Sequence, residues 1–471
     1  MNIFSGRSMP GKEKMLILSL GFGAFMGSYN ISLLNISLPT IARYFDVPVT
    51  VAAWTIIVYL IVLSATIVSF GKLADINGFK KLFTLGFIIF SAGALLCGIS
   101  TDISQLILFR IIQAAGGAII SALAPAIVIN SIPEQSRGIS LGLVATLASA
   151  GIAIGAVTGG FITEFAGWRY IFFINVPIGI LGAYLGSRYI PDDVPGKSIR
   201  SLDIAGTVLI VLAITTLLFA LNQGMHLGWS STPILVAFAT SVILWAVFVK
   251  RERRVQDPVL DFGLFKNRSF TLANLSGLVI KFVFTGIIII FTLYFEIIEG
   301  FSVAVVGFLL MVPAAASLVT APVAGTFSDR IGSRRLCMAG GMIGLVVFLF
   351  FFAFTGKAGI MLSAAALILF GLSIGVFLTP NRKLILGHSP PDKRGVSSGL
   401  MKTFGNFGSA IGIVLFGMVV EEFLLVEGGP MQMIHTDPMP SYMISSFSYT
   451  FLAAAVLCFV CVILAYMTNE P

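Results

Sequence analysis

The chain has 471 residues, of which 57% are hydrophobic and only 11% charged, and it carries a formal net charge of +8. A soluble protein would have about a quarter of its residues charged, so this composition excludes a soluble enzyme or binding module and describes an all-α integral membrane protein. The basic excess does not point to nucleic acid, because the Lys and Arg residues sit in short loops between apolar runs, where the expected partner is the lipid bilayer.

Taken in order, the chain opens with Arg7, Lys12 and Lys14 ahead of an apolar run that continues past signal-peptide length. That pattern predicts an uncleaved first helix with its N-terminus in the cytoplasm. Runs of roughly 20 apolar residues can cross a bilayer, and about fourteen occur, near 15–37, 50–71, 82–100, 104–130, 138–163, 168–190, 203–222, 232–250, 270–296, 303–327, 336–355, 359–380, 397–420 and 443–467. With the N-terminus inside, roughly 23 of the 29 Lys and Arg residues fall on the cytoplasmic side and about three outside. The expectation is a multi-pass protein of the cell membrane with both termini cytoplasmic.

After the second span comes Gly71-Lys72-Leu73-Ala74-Asp75-Ile76-Asn77-Gly78-Phe79-Lys80-Lys81, and after the tenth Gly325-Thr326-Phe327-Ser328-Asp329-Arg330-Ile331-Gly332-Ser333-Arg334-Arg335. Both copies read Gly, three residues, Asp, two residues, Gly, one residue, then two basic residues. Glycine permits close helix approach and a tight turn, the aspartate can cap or pair, and the basic residues hold the loop at the cytoplasmic face. A repeated loop in two halves of a membrane chain indicates internal duplication, an architecture of transporters. A six-plus-six duplication would place the second copy after the eighth span, so two additional helices separate the halves. The expected organisation is an N-terminal six-helix bundle over 1–200, two extra helices over 201–250, and a linker with the C-terminal six-helix bundle over 251–471. The brackets are the polar runs Asp192–Lys197 and Lys250–Arg254, and a solvated loop is expected near 421–442, with Glu421, Glu422, Glu427, His435 and Asp437.

Some patterns are decoys. Cys458 and Cys461 have redox or metal spacing but fall in the last span with no second pair, so they read as ordinary helix residues. Pro191–Ser198 ends like a phosphate-binding loop but has Pro191 in place of the first Gly. Gly371-Leu-Ser373-Ile-Gly375 has nucleophile-elbow spacing inside an apolar span with no partner His. No cofactor or metal is expected, and no enzyme activity.

Further motifs carry a family resemblance. They are Leu106-Ile-Leu-Phe-Arg110-Ile-Ile-Gln113-Ala114-Ala-Gly116, Gly151-Ile-Ala-Ile-Gly155-Ala156-Val-Thr-Gly159-Gly160, Trp168-Arg169-Tyr170 through Asn175, Pro177 and Gly179, Asn35-Ile-Ser-Leu38-Pro39, and Asp257 through Phe265 to Arg268. With the repeated loop, they resemble the major facilitator superfamily, and within it the fourteen-helix drug:proton antiporter type, over almost the whole chain. The resemblance implies two pseudo-symmetric bundles around a central cavity, alternating access, export of amphipathic or drug-like compounds in exchange for protons, and a monomer. The chain departs from the pattern at Asn30, where the family usually has Asp, and at Ala114, Ala156, Ile76 and Phe79. Exporter or uncoupled facilitator of an anionic metabolite is the alternative reading, motivated by Arg110, Lys281 and Asn30; a membrane sensor is the remote one.

Individual residues follow from burial cost. Arg110 lies inside an apolar span, where a charge must face the bundle interior; with Gln113 and Asn30 it is a coupling candidate. Lys281, well inside the ninth span, is a cavity or substrate candidate. Arg382, Lys383 and Lys402 read as cytoplasmic anchors. Glu164 and Glu296, at the outer ends of the fifth and ninth spans, are the proton-coupling candidates. The conformational candidates are Gly71, Asp75, Gly78, Lys80, Lys81, Gly325, Asp329, Arg330 and Gly332 at the two loops, and Gly151, Gly155, Gly159 and Gly160 on the fifth span. Close packing accounts for that last set equally well.

Overall fold

The computed structural model describes residues 11–191, 204–255, 262–390, 394–425 and 441–470. The Asp192–Lys197 bracket, the Asp257 end of the family-like run, Glu427, His435 and Asp437 lie outside the described residues, as do the side chains of Lys72 and Asp75. Among the described residues there are fourteen helical spans long and apolar enough to cross a membrane. Spans of 19 to 34 residues suffice because helix rise is about 1.5 Å per residue, and only a helix satisfies its own backbone in lipid.

The first bundle consists of α1 (Gly11–Phe45), α2 (Val49–Asn77), α3 (Phe79–Gly98), α4 (Ile103–Ser131), α5 (Glu134–Phe161), and the short α6 (Tyr170–Phe173) continued by α7 (Asn175–Tyr189) as one span. Asn175 bridges the α6–α7 break, its Nδ2 donating to Ile171 O at 2.7 Å. The intervening pair is α8 (Ile204–Leu227) and α9 (Thr232–Glu252). The second bundle is α10 (Arg268–Leu293), α11 (Val303–Ile331), α12 (Ser333–Phe354), α13 (Gly359–Gly387), α14 (Arg394–Leu425) and α15 (Ser441–Met467).

The two bundles repeat the same packing. α1 lies on α5 as α10 lies on α14; α2 lies on α4 as α11 lies on α13; α3 touches α4 and α7 as α12 touches α13 and α15. The seam between them is made by α5 against α11 and by α2 against α14. The extra pair docks through α8, which packs on α2 and α14. Trp54 Nε1 donates to Asn222 Oδ1 at 2.9 Å, Asn222 Nδ2 donates to Thr50 O at 3.2 Å, and Ser69 and Thr207 hydroxyls meet at 2.8 Å. α9 is held to α8 by Ser241 Oγ donating to Ala213 O at 2.9 Å, and it turns Val242 and Ile243 outward.

The repeated loops make matching turns. Gly78 has φ +92° and Gly332 φ +94°, the left-handed region that glycine enters without strain. These turns mark one end of the molecule, called here the turn end; the opposite is the far end.

Candidate functional site

Arg110 is fully buried on α4 and is the centre of a polar knot joining three helices. Its Nε donates to Thr55 O on α2 at 2.9 Å, and its Nη1 donates to Gln113 Oε1 at 2.6 Å and to Asn30 Oδ1 on α1 at 3.3 Å. Gln113 Nε2 closes the triangle by donating to the same Asn30 oxygen at 3.1 Å. The guanidinium also lies over the Tyr59 ring, 4.3 Å from its centroid. Neutral oxygens and an aromatic face thus replace a carboxylate, and Arg110 Nη2 and Asn30 Nδ2 have no hydrogen-bond partner. A cation in this setting keeps its charge uncompensated, the expensive half of a buried ion pair.

The α5 glycines divide by direction. A Cβ on Gly155 would stand 2.8 Å from Tyr29 O, one on Gly159 would stand 3.0 Å from Leu33 Cα, and Gly151 backs onto Phe25 O, all on α1 of the same bundle. Gly160 instead faces the other bundle, where a Cβ would stand 2.6 Å from Val303 O of α11. The second bundle has its own version, with Gly408 and Gly412 of α14 against the Leu278 and Phe282 carbonyls of α10, a stripe the sequence reading missed. Of the loop glycines, Gly71 has open space where a Cβ would be and Gly325 has only ordinary contact with Thr379, so the close-approach reason does not apply to them.

Glu164 and Glu296 both lie on π-helical turns at the far end, Ile162–Ala166 after α5 and Tyr294–Ile298 after α10. Each crosses the seam. Glu164 Oε2 accepts from Ala304 N at 2.7 Å, capping the first turn of α11, and Glu296 Oε2 pairs with Arg43 Nη2 of α1 at 3.0 Å. The Glu296 side chain is 5% exposed and its second oxygen has no partner. At the turn end, Asp329 pairs with Lys383, both exposed; Arg330 and Lys81 are exposed and Lys80 is half-buried.

One expectation is corrected. Lys402 does not anchor α14 at a membrane surface: its Nζ donates to Ser121 O of α4 at 3.3 Å, across the seam. Beside it, Thr403 Oγ1 donates to Ser64 O of α2 at 3.2 Å. Arg382 is exposed, and it follows Asn381, which meets α10. Lys281, half-buried, lies about 20 Å along α10 from Arg268 with its stem 3.7 Å from the position a Gly405 Cβ would take. α10 and α13 are fixed beside it by Ser276 Oγ donating to Asn381 Oδ1 at 3.2 Å. All four cysteines are free and buried in helices.

Two repeated helical bundles that meet at a seam lined with polar contacts, with charged groups held at membrane depth, define a membrane carrier. The sequence pattern of the Major Facilitator Superfamily matches residues 20–413 and 273–471. The chain is 32% identical over 458 residues to a riboflavin transporter of Clostridioides difficile, covering 96% of this chain and 97% of that protein. It is 28% identical over 417 residues to a multidrug resistance protein of Mycobacterium tuberculosis, covering 88% of this chain and 77% of that one. The fold is similar to that of an inward-facing bacterial homologue of the human lysosomal transporter Spinster, with a TM-score of 0.69 at 16% identity over 98% of each chain. The chain belongs to the Major Facilitator Superfamily and is a multi-pass membrane transporter of small molecules.

Proposed function

We propose that this transporter exports amphipathic, drug-like compounds in exchange for protons by alternating access, as a monomer in the cell membrane with both termini cytoplasmic. The functional units are 1–200, 201–250 and 251–471, with the first and last moving as bundles and the middle pair riding on α8. The names of relatives support the export reading, several being drug resistance proteins.

The observation that carries proton coupling is the pair of far-end carboxylates. The buried knot at Arg110 is built from a guanidinium, two amides and a backbone carbonyl. Glu164 and Glu296 are carboxylates with contacts across the seam, and each holds the bundles together best while ionised: an anionic carboxylate accepts strongly from Ala304 N–H and attracts Arg43, whereas a protonated one does neither well. Protonation from the far side weakens both contacts and favours separation of α5 from α11 there. On this reading the far end is extracellular and the turn end cytoplasmic, in keeping with the basic residues of both loops.

The test uses purified protein in proteoliposomes with an imposed pH gradient and a panel of amphipathic dyes of either charge. Gradient-driven accumulation, abolished by a protonophore, is expected for the unmodified protein. Glu164→Gln with Glu296→Gln should retain dye exchange at equal pH but lose accumulation. Accumulation by that double variant equal to the parent's would sink the antiport reading.

A further inference from the structure

We infer that the transported molecule carries an oxyanion, a carboxylate or phosphate on an apolar body, and that Lys281, Arg382 and Lys402 hold it; this rests on the transporter reading above. The three cations come from three adjoining helices: the Lys281 stem on α10 stands 3.7 Å from the position a Gly405 Cβ would take on α14, one turn from Lys402, and Arg382 on α13 follows Asn381, whose Oδ1 accepts from Ser276 Oγ of α10 at 3.2 Å. The ion pairs of Arg43 with Glu296 and of Lys383 with Asp329 do not involve these three cations. Lys281 and Arg382 make no hydrogen bond to any described residue, and Lys402 has only the Ser121 carbonyl.

Such an arrangement is unfavourable when empty. Lys281 and Lys402 are partly withdrawn from water, and three cations of like sign repel one another. Snorkelling would relieve the strain, since long basic side chains can reach for an interface. Lys402 does the reverse and points across the seam into the other bundle. The backbone around it is fixed rather than yielding: Ser276 and Asn381 tie α10 to α13, and Thr403 ties α14 to α2. A site with preset positive charge, accessible side chains and no counterion among the described residues binds what supplies the missing charge. Carboxylate and phosphate oxygens suit it because a guanidinium fork and two ammonium groups can each donate to a different lone pair.

The position adds a consequence for mechanism. An anion that draws Lys402 away from Ser121 removes a contact between the bundles, so occupancy and bundle separation are linked through one side chain. Arg110 is not part of this site, because it is fully buried within the first bundle and committed to Asn30, Gln113 and Thr55.

The experiment takes full-length protein in proteoliposomes with carboxyfluorescein as the anion, rhodamine 6G as the lipophilic cation, and an aryl phosphate as competitor. The parent should move carboxyfluorescein and not rhodamine 6G. Lys281→Gln and Lys402→Gln should each raise its KM by about ten-fold or more, the effect of losing one charge-assisted hydrogen bond, while Lys281→Arg keeps it near the parent value. Competition by the aryl phosphate indicates that the site takes any oxyanion, and its absence narrows the ligand to carboxylates; both keep the assignment. Movement of rhodamine 6G, with carboxyfluorescein neither moving nor competing, overturns the anion site and leaves the transporter reading intact. Parent-like KM in Lys281→Gln and Lys402→Gln also overturns it. Failure of every dye to move, by gradient or by exchange, overturns the transporter reading and this inference with it.

Discussion

Gly160→Ala should open the far end of the molecule, and the contrast with Gly155→Ala makes the effect specific. A Cβ at position 160 would lie 2.6 Å from Val303 O, 3.1 Å from Ala304 Cα and 3.2 Å from Gly307 Cα. All three are backbone atoms of α11, so no rotamer change can relieve the overlap and the bundles themselves must part. Overpacking of this kind costs about 1–3 kcal/mol. The cost applies only while α5 and α11 are in contact, so it shifts the ratio of far-end-closed to far-end-open molecules by about 5- to 150-fold. A Cβ at position 155 instead meets Tyr29 O at 2.8 Å and Ser32 Cβ at 2.9 Å, within one bundle. That cost is the same in both conformations, so it lowers the melting temperature without redistributing them. Spin labels at Tyr170→Cys and Met361→Cys, 55% and 85% exposed on different bundles at the far end, report the separation by pulsed dipolar spectroscopy. The four native cysteines are buried and will not take label. The expected result is a longer, newly dominant distance for Gly160→Ala alone. An unchanged distance distribution for Gly160→Ala, or the same change for both variants, refutes the division of the glycines by direction.

Asn30→Asp should stabilise the protein. The native fold already bears the desolvation of Arg110, and a carboxylate placed 3.3 Å from Nη1 turns a hydrogen bond to a neutral oxygen into an ion pair that supplies the missing counter-charge, a gain of about 1–2 kcal/mol. The melting temperature in detergent should rise at neutral pH and return toward the parent's in acid, once the new carboxyl is protonated; an unchanged or lower melting temperature at neutral pH counts against the geometry. Trp54→Phe removes the 2.9 Å donor to Asn222 Oδ1, which still accepts from Gln223 Nε2 at 3.2 Å, so the cost should be only about 1 kcal/mol. Amide exchange in α8 should quicken while exchange in α1 and α5 stays constant. Equal protection of α8 in parent and variant would mean that this hydrogen bond does not dock the extra pair.

The fourteen spans and the duplication were legible because they are properties of consecutive residues. An apolar run long enough to cross a bilayer announces itself, and the glycines of the repeated turn, Gly78 and Gly332, take the positive φ that their spacing demands. Stripe-forming glycines were legible on α5 but overlooked on α14, although Gly408 and Gly412 show the same four-residue spacing; the motif resemblance drew attention to the first and offered nothing for the second. The reach of a long side chain was the poorer inference. Lys402 lies near the start of an apolar run and so read as a surface anchor, but α14 begins at Arg394 and Lys402 Nζ reaches the Ser121 carbonyl of α4, 281 residues away in the chain. The far-end latch was half-visible. Glu164 and Glu296 were singled out as acids, but their partners are 140 and 253 residues away in the chain, and no local pattern encodes such a pairing.

The charges are distributed along the seam in a way that bears on how two ligands could be coupled. Carboxylates bridge the bundles at the far end, through Glu164 to Ala304 and Glu296 to Arg43. Toward the turn end a cation bridges them, through Lys402 to Ser121. On the proposed function a proton acts on the first set and, on the further inference, an oxyanion acts on the second; coupling between them then has to pass through the rigidity of the bundles. The tight α1–α5 and α10–α14 contacts supply it: glycine-backed helices in contact with a neighbour's backbone cannot slide or bend locally, so a bridge released at one end is felt as rotation of the whole bundle at the other. The Arg110 knot serves the same end. By fixing α1, α2 and α4 to one another without a carboxylate, it keeps the first bundle rigid while the bridges at either end are made and broken.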